Sequence, residues 1–123
     1  MRTIKFRGKR IDNRNWVYGD LIHYDSGQVA ILKPFSEYGY EATEIINRDL
    51  VDPATVGQYT GLTDLRGKEI YEGDCLRIGF HVYLVVWNEL ELRYGLNSVQ
   101  GNNTWFPTAL QGKVIGNIHE EVE

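Results

Sequence analysis

The sequence predicts an all-β protein, a small barrel or sandwich of short strands. Three observations carry this. Short runs of apolar, β-branched and aromatic residues recur at roughly 8–12-residue spacing. Glycine-rich turns separate them, in a chain with 13 Gly against 3 Pro and with 8 Tyr and 3 Trp, a composition that favours strands and turns. No window holds the sustained 3.6-residue period of a long amphipathic helix.

The elements follow in order. Thr3 to Arg7 alternates, which places Ile4 and Phe6 on a core face and Thr3, Lys5 and Arg7 on a wet, cationic one. RIDNRN, Arg10 to Asn15, is a turn in which Asp12 and Asn13 can bond their own backbone. Trp16 to Tyr24 reads as a strand element interrupted at Gly19-Asp20. Asp25-Ser26-Gly27 is a tight turn, and Gln28 to Lys33 is the returning strand. Pro34 to Glu41 reads as an exposed aromatic loop, and Ala42 to Ile46 as a further strand. Asp52 before Pro53 is an N-cap followed by proline at the first helical position, but Gly57 limits the helix to one turn.

The second half continues in the same manner. Asp64-Leu65-Arg66-Gly67 fits a type I turn joining Gln58–Leu62 to Lys68–Tyr71. Glu72-Gly73-Asp74 is another turn, launching Cys75 to Ile78. After a turn at Gly79 to His81, Val82 to Trp87 is the most apolar strand and is expected at the centre of its sheet. Leu90 to Leu96 follows, then a polar loop from Asn97 to Thr104. Lys113 to Glu121 forms the last strand, with Gly116 inside it. WVYGDLI and IYEGDCLRI echo each other around Gly-Asp, which points to shared turn geometry.

Composition bounds the function. The chain of 123 residues is 42% hydrophobic and 24% charged, ordinary for a soluble globular domain. No apolar run approaches the ~20 residues of a membrane span, and MRTIKFRGKR lacks the apolar core of a signal peptide. A lone Cys75 gives no intrachain disulfide framework, as expected in a reducing cytoplasm. Net charge is −4, unevenly spread. The first ten residues hold Arg2, Lys5, Arg7, Lys9 and Arg10 and no acid, and the chain ends Glu120-Glu121-Val122-Glu123.

Several chemistries can be weighed from these residues. A phosphate loop needs G-x-x-x-x-G-K-[ST] before a helix, whereas Gly61 and Gly67 have five residues between them rather than four and Glu69 follows Lys68. Asp64, Glu69, Glu72 and Asp74 are hard oxygen donors, but their spacing lacks the alternation and closing Glu of a calcium loop, so they read as turn acids and no metal site is expected. His23, His81 and His119 show no ligand spacing, and nothing local pairs Cys75 with a base. The basic arm is the strongest signal. Arg2, Lys5, Arg7, Lys9, Arg10 and Arg14 could track a phosphate backbone at about 6.6 Å per second residue, with Phe6, Trp16 and Tyr18 near enough to stack bases. The acidic balance of the chain counts against this, and a charged edge strand or charge pairing within or between subunits accounts for the same residues.

Three blocks speak as a set: KFRGKRIDNRNWVYGDLI, VDPATVGQYTGLTDLRGKEIYEGD and VIGNIHEE. In order and spacing they closely resemble the YopX family of phage and prophage proteins. The resemblance spans essentially the whole chain and leaves Ser36 to Glu41 and Leu90 to Gly112 as variable loops. It implies an intracellular, phage-derived, mostly β domain over residues 1–123. An N-terminal β part would run over about 1–58 and a part similar to an SH3-like barrel over about 59–123. It brings no activity, cofactor or catalytic residue. The residues that carry the motif are Gly19, Asp20, Asp52, Pro53, Gly57, Gln58, Tyr59, Thr60, Gly61, Gly67, Tyr71, Gly73, Asp74 and Gly116. They are turn formers and aromatics, the composition of a scaffold, with Tyr59, Thr60 and Asp74 the place for a pocket.

The expectation is a cytoplasmic, non-enzymatic binding or assembly module without a cofactor. Its partner would be a further copy of itself or another protein, not a membrane. The exposed aromatics of FSEYGY and TWF are candidate subunit contacts. The alternative is a nucleic-acid-binding accessory protein that uses the basic N-terminal strand.

Overall fold

The computed structural model describes residues 3–33, 48–98, 103–105 and 112–120. It is built of antiparallel strands, as the all-β expectation requires, and divides into two compact units between Gln58 and Tyr59. The expected loop at 34–41 and strand at 42–46 lie outside the described residues.

The first unit orders its strands β4-β3-β2-β1. They span Phe6–Lys9 (β1), Trp16–His23 (β2), Val29–Leu32 (β3) and Arg48–Val51 (β4). Gly57 and Gln58, the first residues of β5 (Gly57–Thr63), pair with Arg7 and Phe6. The ends of β1 and β4 meet at an isolated bridge between Arg10 and Val51. There the Ile11 amide donates to the Leu50 carbonyl at 3.1 Å and the Asp52 amide to the Lys9 carbonyl at 2.8 Å. The core face collects Val17, Val29, Ile31 and Val51, with Phe6, Leu21 and Val56 packed against them. Full burial of each large aliphatic side chain contributes about 1.5–3 kcal/mol.

Several expectations are corrected here. β2 runs without a break through Gly19. Glycine is needed because the β3 backbone passes so close that a Cβ at Gly19 would collide with the Leu32 carbonyl oxygen. β4 was not anticipated, since RDLV is short and half charged. The alternation at the N-terminus also fails at both ends. Ile4, ahead of the ladder, is 58% exposed, while Arg7 is only 6% exposed.

In the second unit β5 turns back into β6 (Glu69–Tyr71). A five-stranded sheet follows in the order β10-β9-β8-β7-β11. It uses Asp74–Ile78 (β7), His81–Asn88 (β8), Arg93–Ser98 (β9), Asn103–Trp105 (β10) and Lys113–Asn117 (β11). The apolar β8 takes the centre, as its composition predicts. Leu76, Val85, Leu96, Val114 and Ile70 form the core, flanked by Leu62, Ile78, Tyr83 and Tyr94. Among the described residues this sheet is open, ending at β10 and β11, so the expected SH3-like barrel is not closed. The polar stretch read as a loop from Asn97 to Thr104 instead contributes to both β9 and β10.

The β2–β3 and β5–β6 hairpins share a turn. In YDSGQ the Tyr24 amide donates to Gln28 and the Gly27 amide to Tyr24. In DLRGK the Asp64 amide donates to Lys68 and the Gly67 amide to Asp64. Gly27 and Gly67 sit at φ 91° and 84°, where an L side chain is strained. The Gly-Asp echo does not share geometry. Gly19-Asp20 lies within a strand, whereas Gly73 is in a turn at φ 94°.

Candidate functional site

The basic arm is held within its own unit. The Arg7 guanidinium lies 4.7 Å from the Trp16 ring centroid, and the Lys9 ammonium 5.5 Å from the same ring, both within cation–π range. Arg10 grips Asp12 with two bonds, Nε to Oδ1 at 3.0 Å and Nη2 to Oδ2 at 2.7 Å. Its Nη1 is 3.3 Å from Asp49. Arg14 reaches Asp52 at 3.1 Å. The hydrogen bond from Arg10 holds the Asp12 carboxyl below its ordinary value, and the same bond, joined by the Asp49 charge, raises Arg10. Lys5 is half-buried, and Arg2 lies outside the described residues. This is the charge pairing within the chain that the sequence raised as an alternative to a phosphate-binding face.

Asp49, which sequence reasoning missed, is 8% exposed and stands between Arg10 and Lys33, whose Nζ is 3.6 Å away. The available signal was an acid flanked by Arg48 and Leu50 in a stretch too short and too charged to read as a strand. Asp52 caps the 3₁₀ turn Pro53–Thr55 as expected, accepting the Ala54 amide at 3.0 Å. Thr55 completes the cap by accepting the Lys9 amide at 2.9 Å.

The motif block builds scaffold. Asp64 sits in the turn that the sequence predicts, but the residue is buried, 6% exposed. Oδ1 accepts the Arg66 and Lys68 amides at 2.8 and 2.9 Å, and Oδ2 accepts the Val114 amide of β11 at 2.8 Å. The Leu65 amide donates to Gly112, and Arg66 Nη2 to the Val114 carbonyl at 3.3 Å. The β5–β6 turn thus covers the outer edge of β11, where exposed backbone groups would otherwise invite another strand. Burial pushes the Asp64 carboxyl upward, but its three amide bonds and the Arg66 charge outweigh this and hold it below the ordinary carboxylate value.

Tyr59, Thr60 and Asp74 each make a contact that serves the fold. Tyr59 packs its ring 5.5 Å from that of Tyr71. Thr60 donates its hydroxyl to the Ile70 carbonyl at 2.8 Å, and Asp74 accepts the Tyr71 amide at 2.8 Å. Gly61 lies where the β5–β6 register shifts, and Gly116 at the bulge between β7 and β11. Cys75 is buried, and burial together with the Asp74 charge raises its thiol pKa, which favours the protonated thiol. Among the described residues no group of three His, Cys, Asp or Glu is placed to hold a metal ion. No described helix is long and apolar enough to cross a membrane.

The β8–β9 hairpin tip supplies exposed apolar surface. Asn88 Oδ1 accepts the Leu90 and Glu91 amides at 3.0 Å each and so shapes the turn. Leu90 is 97% and Leu92 74% exposed, and Trp87, edge-on to Tyr94 at 5.0 Å, is 42% exposed. Leu92 holds φ 54°, a conformation that costs a non-glycine residue about 1–2 kcal/mol. Glu91 and Arg93 pair beside it at 2.7 Å. The alternation in LELR was the available signal for this tip. The TWF stretch puts Thr104 and Trp105 in β10, while Phe106 and FSEYGY lie outside the described residues.

The sequence was also compared with known proteins. A search of curated proteins returned no significant match. A family model described as YopX protein matches residues 5–123, nearly the whole chain and all three blocks that carry the resemblance. The chain belongs to the YopX family.

Proposed function

We propose that this YopX-family chain is a phage- or prophage-derived, cytoplasmic, non-enzymatic assembly module that associates with further copies of itself through the β8–β9 hairpin tip. The observation that carries the reading is Leu92, an exposed leucine held at φ 54° beside the 97% exposed Leu90. A turn selected only for folding would place Gly or Asn there. A strained, exposed leucine is favourable where a partner buries it. Charge supports self-association as well. The tip carries both members of the Glu91–Arg93 pair, so a two-fold contact can exchange partners between copies, the self-complementarity an isologous interface needs.

The nucleic-acid alternative has less support, because Arg10 and Arg14 already face carboxylates and Arg7 and Lys9 face Trp16. Light scattering across a concentration series to about 100 μM, where a small interface associates reversibly, tests the proposal. A mass rising toward the dimer supports it, and a monomer throughout overturns it.

A further inference from the structure

In the first unit, a cleft of about 400 Å³ opens at the β2–β3 turn, lined by Tyr24, Ser26, Gln28, Arg48 and Leu50. That volume lies within the range of small-molecule sites, which combine apolar wall with a few placed polar groups. Register explains the grouping. Ala30 pairs with Leu50 and Leu32 with Arg48, so Arg48 and Leu50 share one face of β4 beside the hairpin turn.

Arg48 differs from its neighbours. Arg10, Arg14 and Lys33 each face a carboxylate. Among the described residues no carboxylate pairs with Arg48, and its guanidinium instead lies 5.5 Å from the Tyr24 ring centroid. The ring holds the side chain without consuming its five N–H donors. Tyr24, Ser26 and Gln28 line the same cleft; the Ser26 hydroxyl donates to Gln28 Oε1 at 3.5 Å and accepts the Gln28 amide at 3.3 Å, which leaves the Gln28 side-chain NH₂ as a donor. Leu50, 42% exposed, supplies apolar wall. Asp25 is exposed in the same turn but does not line the cleft.

We infer that this cleft binds a small ligand carrying an oxyanion on an aromatic or apolar body, with Arg48 gripping the oxyanion and Tyr24 and Leu50 receiving the body. An arginine matches carboxylate and phosphate oxygens alike in a two-pronged geometry, so the oxyanion is the shared chemistry and its source is decided by experiment.

The test is a titration of the ¹⁵N-labelled full chain, followed by amide chemical shifts, with inorganic phosphate, adenosine monophosphate, acetate and benzoate as probes. The inference expects shifts centred on Tyr24, Ser26, Gln28, Arg48 and Leu50. It also expects tighter binding of an aromatic probe than of its bare anion. Response to adenosine monophosphate alone identifies a phosphate source, and response to benzoate alone a carboxylate source. Arg48→Gln should weaken binding about tenfold, the loss of one charge-assisted bond. Gln28→Ala, at an exposed position, gives a second reading of several-fold weakening if Arg48→Gln fails to fold. No shift with any probe at about 10 mM, or binding indifferent to these variants, overturns the inference.

Discussion

Asp64 Oδ2 accepts the amide hydrogen of Val114 at 2.8 Å across fifty residues of chain. The same carboxylate organises its own turn through Arg66 and Lys68, so one side chain shapes the β5–β6 hairpin and fastens it to the β11 edge. Asp64→Ala leaves three amides without their acceptor. Hydrogen bonds to charged groups are worth about 1.5–3 kcal/mol, with partial replacement by water. We expect a loss of about 2–4 kcal/mol in urea unfolding, with the m-value unchanged.

The same contact sets a pH dependence. The folded-state pKa of Asp64 lies below its ordinary value of 3.8, so the unfolded chain takes up its proton first as pH falls. The stabilisation is complete above the ordinary value and is lost as pH drops through the lower folded value. Wild type should therefore lose stability faster than Asp64→Asn on acidification from about pH 5 to pH 2, and the gap between them should narrow. Parallel curves would show that the carboxylate charge contributes nothing.

Gly19 is constrained by the neighbouring strand. A methyl group there would meet the Leu32 carbonyl oxygen, and neither backbone can move without disturbing the β2–β3 ladder. Gly19→Ala should cost about 1–3 kcal/mol, as overpacking does, whereas Gly27→Ala, which meets nothing within 4 Å, should show only the strain of its positive φ. Thermal unfolding of the two variants separates crowding from conformation.

Arg7 belongs to the fold. Arg7→Ala removes a side chain that is 6% exposed and stacked on Trp16, and should lower stability by about 1–2 kcal/mol. Fluorescence anisotropy with labelled DNA and RNA should show no binding that falls steeply between about 50 and 200 mM salt, the mark of several phosphate contacts.

What the sequence made legible follows from the range of the interactions involved. Local chemistry was readable: the Asp52–Pro53 cap, the DLRG turn and the central apolar strand β8 each depend on residues close in sequence. Asp64 looked like one of several turn acids because its decisive partner, Val114, lies in another block of the chain. Arg7 was misplaced because alternation alone could not show that the β1 ladder begins at Phe6, or that Trp16 would cover the guanidinium. Arg48 escaped notice because β4 is short and its neighbours in the cleft come from the β2–β3 turn. The barrel expectation rested on resemblance and turn spacing, neither of which determines whether edge strands meet.

The most direct test of the assembly proposal is Leu92→Gly, with molecular mass by sedimentation equilibrium and stability by urea unfolding measured on the same samples. Glycine relieves a conformational strain of about 1–2 kcal/mol, offset in part by its greater freedom in the unfolded chain. The account predicts a variant at least as stable as wild type that no longer self-associates at concentrations where wild type does. A wild type that stays monomeric, or a Leu92→Gly variant that associates equally well, would contradict it.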